Sequence, residues 1–377
     1  MDFCEHVAKP QLSDRGIRTP RSVLVSDVKG AAEAFGTIGA SVVKAQVPTG
    51  KRGKAGGIKL ANSPEEAAAH AEAILGMEID GWPVETVLIE EQVPIARELY
   101  AAIIDDHASR GPMLLFSGLG GMDVEEVAER DPTAMRRIPI DLHSGPTESD
   151  LDQALDGLTF GAATADLRSA LAALYQVWRD VDAELVEINP LVITSDDHVY
   201  ALDCKLTIDD SSAPRQAELA KDAAPERQTE LEQRAAAAGL KYIELDGSVG
   251  VLANGAGLTM TTMDVIAHYG GRPANFMEIG GEAYTKATTA LGIVLDNPNV
   301  KALLVNFCGA FARTDVMAEG VVKAWEDLKP DVPVFFTIHG TGEDEAITLV
   351  QSRLGITPFD LMDDAVKAAV SAAAARD

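Results

Sequence analysis

The amino-acid sequence predicts an α/β protein with two domains. Residues 1–206 alternate short strands with helices, and from residue 249 onward a strand, a glycine loop and a helix follow one another repeatedly. Between these parts, residues 207–240 are polar and rich in Ala and Glu, which is typical of a connection and not of a core. We therefore expect an N-terminal domain at 1–206, a connecting segment at 207–240 and a C-terminal domain at 241–377.

In the N-terminal domain, a helix start is predicted at Ser63. This residue can cap the helix, with Pro64 at its first position, Glu66 as the reciprocal acid and Gly76 as its end. The 3.6-residue apolar spacing of 165–182 predicts a second helix, packed on the sheet. Apolar runs predict five strands, of which the third and fourth are expected to be neighbours: 41–47, 57–60, 86–91, 98–104 and 113–116.

The C-terminal domain is expected to contain an open parallel sheet. Four apolar runs are predicted strands, and a glycine-containing loop follows each of them: 249–253, 274–279, 301–307 and 332–338. The carboxyl ends of parallel strands meet at one edge of a sheet, where α/β folds bind ligands. We therefore expect these four loops to form a binding edge.

Composition and charge exclude several classes of function. The 377 residues suffice for two or three domains, and a hydrophobic content of 46% indicates a globular protein. A net charge of −27 repels nucleic acid, so any nucleotide site must be locally basic. No apolar run reaches the ~20 residues that span a membrane, and the N-terminus lacks a signal peptide. Three widely spaced cysteines form neither a disulfide framework nor a zinc pattern, which favours a cytoplasmic location.

A β-hairpin is predicted near the end of the N-terminal domain. The run 184–194 has the composition of a strand, Ser-Asp-Asp after it is typical of a tight turn, and 198–205 is the returning strand. A three-residue loop would pair Thr194 with His198. This pairing fixes which residues of the two strands face each other.

In this register Asn189 lies directly opposite Asp203, and Glu187 lies opposite Lys205. Glu187 and Asn189 share one face because side chains alternate along a strand. Opposed Cβ atoms are about 4.5–5.5 Å apart, close enough for two oxygen ligands to share a cation. A carboxylate and a carboxamide suit Mg²⁺ when water and phosphate complete its shell. The alternative is an edge hairpin with a solvated polar face.

One loop of the chain is locally basic. Residues 50–57 hold four glycines together with Lys51, Arg52 and Lys54. Glycines allow backbone amides to approach phosphate oxygens, which Lys and Arg neutralise. The loop lacks the Gly-Lys-Ser/Thr of a Walker P-loop, and a solvated basic hairpin is the alternative. Lys44 lies inside an apolar strand and needs an anionic partner, for which an ATP phosphate is a candidate.

Other motifs are less specific. Gly255-Ala-Gly257 has the spacing of a dinucleotide fingerprint, but Met260 replaces the third glycine, so a tight turn is favoured. The histidines show no metal spacing. Of these, His339 lies in a loop at the expected binding edge and is a candidate substrate contact. The acidic run 123–126 is predicted to be a solvated face.

Taken together, these residues resemble the β subunit of succinyl-CoA synthetase and related nucleoside-diphosphate-forming acyl-CoA ligases over nearly the full length. The Glu-Ile-Asn-Pro string, followed by Asp-x-Lys at the hairpin spacing, is the most specific part and favours a metal site over a solvated hairpin. The resemblance rests on six segments: Val42-Val-Lys-Ala-Gln46, Arg52-Gly-Lys-Ala-Gly-Gly57, Glu187-Ile-Asn-Pro-Leu-Val-Ile193, Leu202-Asp-Cys-Lys-Leu206, Asn254-Gly-Ala-Gly-Leu258 and Pro273-Ala-Asn-Phe276.

The resemblance implies an ATP-grasp fold followed by a flavodoxin-like, doubly wound CoA-ligase domain. It also implies roles for individual residues. Nucleotide phosphates are expected at Lys44, Lys51, Arg52 and Gly53, base and ribose at Glu90, the backbone of Val93 and Glu98, and Mg²⁺ at Asn189 and Asp203. Glu187 is expected to steady a phosphohistidine, and Asn254, Ala310, Phe311 and Ala312 to line an acid site shared with a partner.

The reaction implied by the resemblance is acid + CoA + ATP → acyl-CoA + ADP + phosphate. It proceeds through an acyl phosphate and a phosphohistidine of an α subunit, which also binds most of the CoA. ATP or GTP is the co-substrate, and the assembly is a heterodimer or heterotetramer. None of this chain's own histidines is assigned the phosphorylated role.

The sequence departs from the family pattern mainly at the acid-facing loops. The family usually has Phe-Gly-Gly-Ile-x-Arg where this chain has Cys308-Gly-Ala-Phe-Ala-Arg313, and Arg-Leu-Glu-Gly-Thr-Asn where it has Thr337-Ile-His-Gly-Thr-Gly342. Lys51 adds a charge to the basic loop, and Leu119 replaces a common Glu. Phe311 adds bulk, and His339 could pair with an anion. Our hypothesis is that the acid is not succinate; malate, a sulfonated acid or another short acid is a candidate.

Two other functions are compatible with the residues alone. A stand-alone ATP-grasp ligase that joins a carboxylate to an amine would be active without a partner chain, but would leave the C-terminal domain without a role. A non-catalytic nucleotide-binding paralogue would bind ATP without transferring a phosphoryl group. The altered acid-facing loops fit this last function as well as they fit a new specificity.

Overall fold

The computed structural model describes residues 1–121, 134–280 and 283–376, so the acidic run 123–126 lies outside the described residues. The chain divides into two compact units, Met1–Glu226 and Arg227–Asp377. The expected connecting segment is shared between them, and the domain bounds drawn from sequence stay a prediction. No helix in the described ranges is long and apolar enough to cross a membrane.

The first unit contains two main β-sheets. Its described strands are β1 (Asp2–Phe3), β2 (Ser22–Val25), β3 (Ser41–Ala45), β4 (Ile58–Ala61), β5 (Glu78–Ile79), β6 (Trp82–Pro83), β7 (Val87–Glu91), β8 (Ile95–Asp106), β9 (Gly111–Ser117), β10 (Arg136–Pro139), β11 (Ala183–Thr194), β12 (Val199–Ala201) and β13 (Lys205–Ile208). In these residues a seven-stranded sheet has the order β1-β13-β11-β8-β9-β10, with β12 also on β11. A four-stranded sheet has the order β2-β7-β3-β4, and β5 pairs with β6.

Helices cover both sheets of this unit. They span Glu5–Ser13, Val28–Ile38, Pro64–Ile74, Glu148–Leu155, Thr164–Asp180 and Ala217–Ala220, with 3₁₀ turns at Gly161–Ala163 and Asp210–Ser212. The predicted amphipathic helix is confirmed as Thr164–Asp180. It buries Leu167, Leu171 and Leu174 in the same apolar cluster as residues of β8 and β11. This cluster is the main core under the larger sheet.

The helix predicted from its N-terminal signals is also confirmed. The Ser63 hydroxyl accepts the backbone N–H of Glu66 at 3.1 Å, and Pro64 is the first helical residue. The Glu66 carboxylate reaches one residue further than expected and accepts the N–H of Asn62 at 2.8 Å. The helix ends at Ile74, two residues before Gly76, which has a positive φ of 80°.

The expectation that the strands at 86–91 and 98–104 are neighbours is wrong. The observed strands, β7 and β8, belong to different sheets. Both edges of β7 are already paired, with β2 on one side and β3 on the other. The chain therefore leaves the four-stranded sheet at Gln92–Pro94 and enters the seven-stranded sheet, where β8 pairs with β9 and β11.

The predicted hairpin register is confirmed. The Thr194 N–H donates to the His198 carbonyl at 2.8 Å, and Glu187 is the Cα partner of Lys205. The returning strand is split into β12 and β13, because Pro190 has no N–H to give to the ladder at this point. The Pro190 carbonyl still accepts the N–H of Leu202 at 3.1 Å, so the register continues across the gap.

The second unit contains a parallel sheet. Its described strands are β14 (Tyr242–Glu244), β15 (Val249–Ala253), β16 (Asn275–Met277), β17 (Ala302–Gly309) and β18 (Val334–Gly340). Strands β15, β17 and β18 pair in parallel, as expected. Single parallel bridges on either side of β16 connect it to the two ends of β15. The residues of β16 itself pair antiparallel with β14, a strand that the sequence analysis did not predict.

Helices pack on both faces of this sheet, which is the doubly wound arrangement. The described helices are Glu230–Ala237, Ala256–His268, Ala283–Asp296, Thr314–Leu328, Glu343–Leu354 and Met362–Ala374. Alternate residues of each strand enter two separate cores. In β17, Leu304 packs toward Ile266 and Val366, whereas Leu303 packs toward Leu291 and neighbouring residues on the opposite face.

A buried amide completes the hydrogen bonding between β15 and β16. The side chain of Asn275 accepts the N–H of Val251 at 3.1 Å and donates to its carbonyl at 2.8 Å. The backbone bridges between these segments lie on either side of this point, at Val249 and Ala253. Asn275 is fully buried, so its side chain satisfies two backbone groups that water does not reach.

Replacement of Asn275 with Ala should lower the free energy of unfolding of the second unit by about 2–4 kcal/mol, because two buried backbone groups lose their partners. The Val251 amide should also exchange its hydrogen faster. Urea unfolding and hydrogen exchange measure the two effects. Asn299→Ala, at an exposed position of the same unit, serves as the control. Equal destabilisation by both variants would contradict this role of Asn275.

Candidate active site

Six charged side chains of the first unit form a buried charge cluster: Glu5, Lys9, Lys44, Arg52, Glu90 and Asp203. They come from the first helix, from β3 and the loop after it, from β7, and from the hairpin. Five of the side chains are 7% exposed or less, and Asp203 is 32% exposed. Three cations face three carboxylates, so the cluster is balanced by its own charges.

Lys44 lies at the centre of this cluster. Its Nζ is 2.9 Å from Glu5 Oε1 and 2.6 Å from Glu90 Oε1, and it donates to the carbonyl of Leu202 at 2.5 Å. Burial disfavours the ammonium form, but the charges of Glu5, Glu90 and Asp203 outweigh it and raise the pKa of Lys44 above its ordinary value. The lysine is therefore charged, and in this state its partners are protein carboxylates.

Glu5 and Lys9 are functional candidates that the sequence analysis missed. Lys9 Nζ lies 2.6 Å from Glu5 Oε1, contacts the Glu90 carboxylate and donates to the Leu202 carbonyl at 2.7 Å. Burial opposes ionisation of Glu5, but Lys44, Lys9 and Arg52 hold its pKa well below the usual range. A usable signal was present: two opposite charges at i, i+4 lie on the helix face that also buries Ala8 and Leu12.

Arg52 joins the basic loop to the hairpin. Its Nη1 donates to Glu5 Oε2 at 2.7 Å and to the Ala45 carbonyl at 2.9 Å, while Nη2 donates to both carboxylate oxygens of Asp203 at 2.6 Å. Burial acts to lower the pKa of Arg52, but Asp203 and Glu5 raise it above its ordinary value. The structure thus brings together an expected phosphate-binding residue and an expected metal ligand.

The other basic-loop residues lie at the surface. Lys51 and Gly53 are exposed, and Lys51 has a positive φ of 62°. The loop forms a compact turn in which the N–H of Gly57 donates to the Arg52 carbonyl at 2.9 Å. A Cβ at Gly57 would lie 2.7 Å from Ile79 and 3.0 Å from Ala45, so this position requires glycine.

The expected metal ligands lie opposite each other across the hairpin, as the confirmed register requires. Asn189 is half-buried, and its Oδ1 accepts the N–H of Gly121 at 2.9 Å. Both carboxylate oxygens of Asp203 accept from the Arg52 guanidinium. Among the described residues, no three His, Cys, Asp or Glu side chains cluster as a metal site. The donor set fits Mg²⁺ only if a phosphate or water adds further oxygens.

The residues expected at base and ribose come from β7, from β8 and from the segment between them. Glu90 is buried in the charge cluster. Val93 is half-buried in the segment that follows β7. Glu98 lies on β8, beside Gly121. A Cβ at Gly121 would come within 1.8 Å of a Glu98 carboxylate oxygen, so this glycine allows Glu98 and Asn189 to approach the same backbone.

Glu187 lies on the same face of β11 as Asn189. Its Oε2 accepts the hydroxyl of Tyr100 at 2.9 Å, and Tyr100 is a buried residue of the neighbouring strand β8. The neighbours of Glu187 along the strand, Val186 and Ile188, point into the core. The carboxylate is therefore held in one direction by a buried phenol.

In the second unit, Asn254 connects the ends of two parallel strands. Its Oδ1 accepts the N–H of Cys308 at 2.7 Å, and its Nδ2 donates to the Cys308 carbonyl at 2.8 Å. This pair continues the ladder between β15 and β17 past its last backbone pair, Ala253 and Asn306. Asn254 thus fixes the start of the loop that contains Ala310, Phe311 and Ala312.

The loop after β17 is braced from β18. The Thr341 hydroxyl donates to the Ala310 carbonyl at 2.9 Å, and the Thr341 N–H donates to the Gly309 carbonyl at 2.8 Å. Ala312 is half-buried against the core, whereas the Phe311 side chain is fully exposed. The loop is thus fixed at its base, while its aromatic ring projects into solvent.

His339 already has two neighbours at this edge. Its Nε2 lies 2.7 Å from the backbone oxygen of Asp360, so this nitrogen carries the hydrogen. Its Nδ1 lies 3.5 Å from Glu343 Oε1. Its expected role as a contact of the substrate stays a prediction.

Comparison with known proteins places both units in known families. The chain matches an ATP-grasp domain over residues 2–193 and a CoA-ligase domain over residues 252–370. The ADP-forming succinate–CoA ligase β subunit of Rubrobacter xylanophilus is 44% identical to this chain, and the alignment covers 99% of both chains. The GDP-forming β subunit of Thermus thermophilus is 40% identical over 94% of both chains.

A solved structure gives the same architecture. ATP citrate lyase from Methanothrix soehngenii, in complex with citrate and coenzyme A, is similar with a TM-score of 0.72 and 25% identity, over 98% of this chain and 99% of that one. The predicted fold class, α/β with an ATP-grasp domain before a CoA-ligase domain, is confirmed. The full-length relatives also confirm the resemblance seen in the motifs. The chain belongs to the family of succinate–CoA ligase β subunits.

Proposed function

We propose that this chain is the β subunit of a nucleoside-diphosphate-forming acid–CoA ligase, which carries out the reaction acid + CoA + ATP → acyl-CoA + ADP + phosphate. The observation that carries the proposal is the opposed pair Asn189 and Asp203 beside two buried cations, Lys44 and Arg52. An α subunit supplies the histidine that accepts the phosphoryl group and most of the CoA site. GTP is the other candidate nucleotide.

In this proposal the buried charge cluster becomes a phosphate site when nucleotide enters. Lys44 and Arg52 are fully charged in a low-dielectric surrounding, where they stabilise phosphate oxygens more strongly than exposed cations do. Lys51 and the exposed backbone of Gly53 are at the surface of the same loop and contact the outer phosphates. Glu98 and the Val93 backbone bind base and ribose, and Glu90 joins them only by leaving its lysine partners in the cluster.

Asn189 Oδ1 and the Asp203 carboxylate would hold Mg²⁺. When bound, Mg²⁺ neutralises phosphate charge and thereby aids phosphoryl transfer. Both residues are fixed by the hairpin pairing, and Asn189 is further oriented by the Gly121 N–H. The protein's contribution is to present two oxygens at a set spacing, which leaves the remaining positions to the nucleotide and water.

Glu187 faces the same side of the hairpin as Asn189. A carboxylate at this point can accept a hydrogen bond from an imidazole and orient its ring, which is the role proposed for it toward the phosphohistidine. Tyr100 donates to Glu187 and limits its rotamers, so the carboxylate is already directed before the histidine arrives.

The acid is proposed to bind at the carboxyl edge of the second unit, at Asn254 and the loop Ala310, Phe311 and Ala312. Succinate is the acid in the names of the relatives. The bulk of Phe311, where the family usually has Ile, favours a different short acid, such as malate or a sulfonated acid. This difference in the loop supports the hypothesis that the acid is not succinate.

Asp203→Ala should reduce transfer of the γ-phosphoryl group to the partner's histidine by about 10³-fold or more, because the nucleotide loses a metal ligand. Labelling of the partner subunit with γ-³²P nucleotide measures the transfer. Asp197→Asn, in the turn of the same hairpin, is the matched control and should label normally. Undiminished labelling of Asp203→Ala would refute the metal site, and no labelling even of the unsubstituted protein would indicate a non-catalytic paralogue.

Glu187→Gln should leave nucleotide affinity within about twofold and slow phosphoryl transfer by about 10²-fold. The physical reason is that the group acts on the incoming histidine and not on the nucleotide. Titration calorimetry with ADP and single-turnover labelling separate the two effects. Glu184→Gln, an exposed position on the same strand, should behave like the unsubstituted protein. A loss of ADP binding in Glu187→Gln would reject this assignment.

A panel of acids assayed with the purified pair of subunits should show that succinate is not the best substrate. Phe311→Ile, which restores the side chain usual in the family, should raise kcat/KM for succinate by about tenfold, the effect of reshaping one apolar contact. Leu328→Ile, a change at an exposed apolar residue elsewhere in the unit, is the control. A strong preference of the unsubstituted enzyme for succinate would end the hypothesis.

A further inference from the structure

The guanidinium of Arg52 makes two separate sets of contacts. Nη1 is bound by protein groups that lie deep in the first unit, Glu5 Oε2 and the Ala45 carbonyl. Nη2 donates to Asp203 on its other side, with both carboxylate oxygens at 2.6 Å. Glu5 is 1% exposed, whereas Asp203 is 32% exposed. Arg52 itself is buried, but its Nη1 end faces interior protein groups, whereas its Nη2 end faces a carboxylate that solvent reaches.

A carboxylate that binds a guanidinium with both oxygens has little free capacity for another cation. Charge-assisted contacts of this kind are stronger than neutral hydrogen bonds, because both partners are ionised. A divalent cation that approaches Asp203 must therefore displace Arg52 or share the carboxylate with it. If the carboxylate is shared, the cation and the guanidinium are close enough to repel each other. If Arg52 left Asp203 without gaining another anion, its Nη2 end would carry an unpaired charge in a buried site, which is costly.

A nucleotide removes this conflict. Its phosphate oxygens are anions of the same kind as the Asp203 carboxylate, and they can accept the Nη2 end. The Nη1 contacts need not break, because they lie on the other side of the guanidinium. The backbone at Arg52 is held by the turn that ends in Gly57, so the exchange needs only a movement of the side chain.

We propose that Arg52 is an internal counter-ion that covers Asp203 while the nucleotide site is empty, and that it passes from Asp203 to phosphate when nucleotide binds. Glu5 is the positioning residue that holds Nη1 in both states. The inference rests on the proposed function, because it takes Asp203 as the metal ligand. Its consequence is that a divalent cation and nucleotide bind with strong positive coupling, and that the carboxylate is protected from cations without nucleotide.

The test is binding of Mn²⁺, as a spectroscopic substitute for Mg²⁺, to the purified complex of the full chain and its partner. Electron paramagnetic resonance counts free Mn²⁺ without and with ADP, and requires no turnover. The unsubstituted protein should bind Mn²⁺ weakly at the hairpin without ADP. Arg52→Met should increase this ADP-independent affinity by about tenfold or more, because it frees the carboxylate from a charge-assisted pair.

Three further variants make the result specific. In the double variant Arg52→Met/Asp203→Asn the gain should disappear, which assigns it to this carboxylate. Arg52→Lys keeps the charge without the fork and should give an intermediate gain. Arg21→Met is the matched control: Arg21 binds Glu91 with two hydrogen bonds at the surface of the same unit, and its removal should add no Mn²⁺ binding. Circular dichroism checks that each variant is folded.

The outcomes separate this inference from the proposed function. If Asp203→Asn alone leaves Mn²⁺ binding with ADP unchanged, the metal site itself is wrong. If Asp203→Asn abolishes that binding, but neither Arg52→Met nor Arg52→Lys increases binding without ADP, the metal site stands and the counter-ion role is refuted. If Arg52→Met fails to fold, Arg52→Lys decides alone, since it keeps the buried charge.

Discussion

The buried charge cluster is the interaction on which the first unit depends. Five of its six charged side chains lie where water has little access, and an unpaired charge there would be strongly destabilising. Ion pairing offsets this cost, because each cation contacts carboxylates or carbonyls and each carboxylate contacts a cation. The cluster also joins the two sheets of this unit, since its members come from β3, β7, the first helix and the hairpin. A site for phosphates is thereby built into the framework of the unit.

This arrangement explains how a chain with a net charge of −27 can bind a polyanion. Long-range repulsion is a property of the whole surface, but the local field at a buried site depends on the nearest groups. Lys44 and Arg52 keep their charges because carboxylates surround them. The same carboxylates compete with phosphate for these cations, so the affinity of the site is a difference between two sets of strong contacts. The carboxylates that hold Lys44 and Arg52 in place for phosphate are thus the same groups that compete with phosphate for them.

The second unit solves a different problem, the placement of loops at the edge of a parallel sheet. Here the strand ends are fixed by single side chains. Asn254 extends the ladder between β15 and β17, and Asn275 fills the gap between β15 and β16. With these connections the loop after β17 has a rigid base, from which Phe311 projects into solvent. Variation in this loop can alter what is recognised without disturbing the sheet, because the bracing groups bind the loop through its own backbone atoms.

The sequence by itself determined the α/β class, most strands, the helices that begin at Pro64 and Thr164, and the hairpin register that sets Asn189 opposite Asp203. These depend on local periodicity, on turn residues and on pairing rules that act over a few residues. Only the tertiary structure decided that β7 and β8 lie in different sheets, that Glu5 and Lys9 join the charge cluster, and that Arg52 binds Asp203. Apart from Glu5 and Lys9, which lie four residues apart on one helix, the paired charges of this cluster are 39 to 151 residues apart. The local spacing of Glu5 and Lys9 shows only that they share a helix face; which distant charges they meet is settled when the sheets pack together.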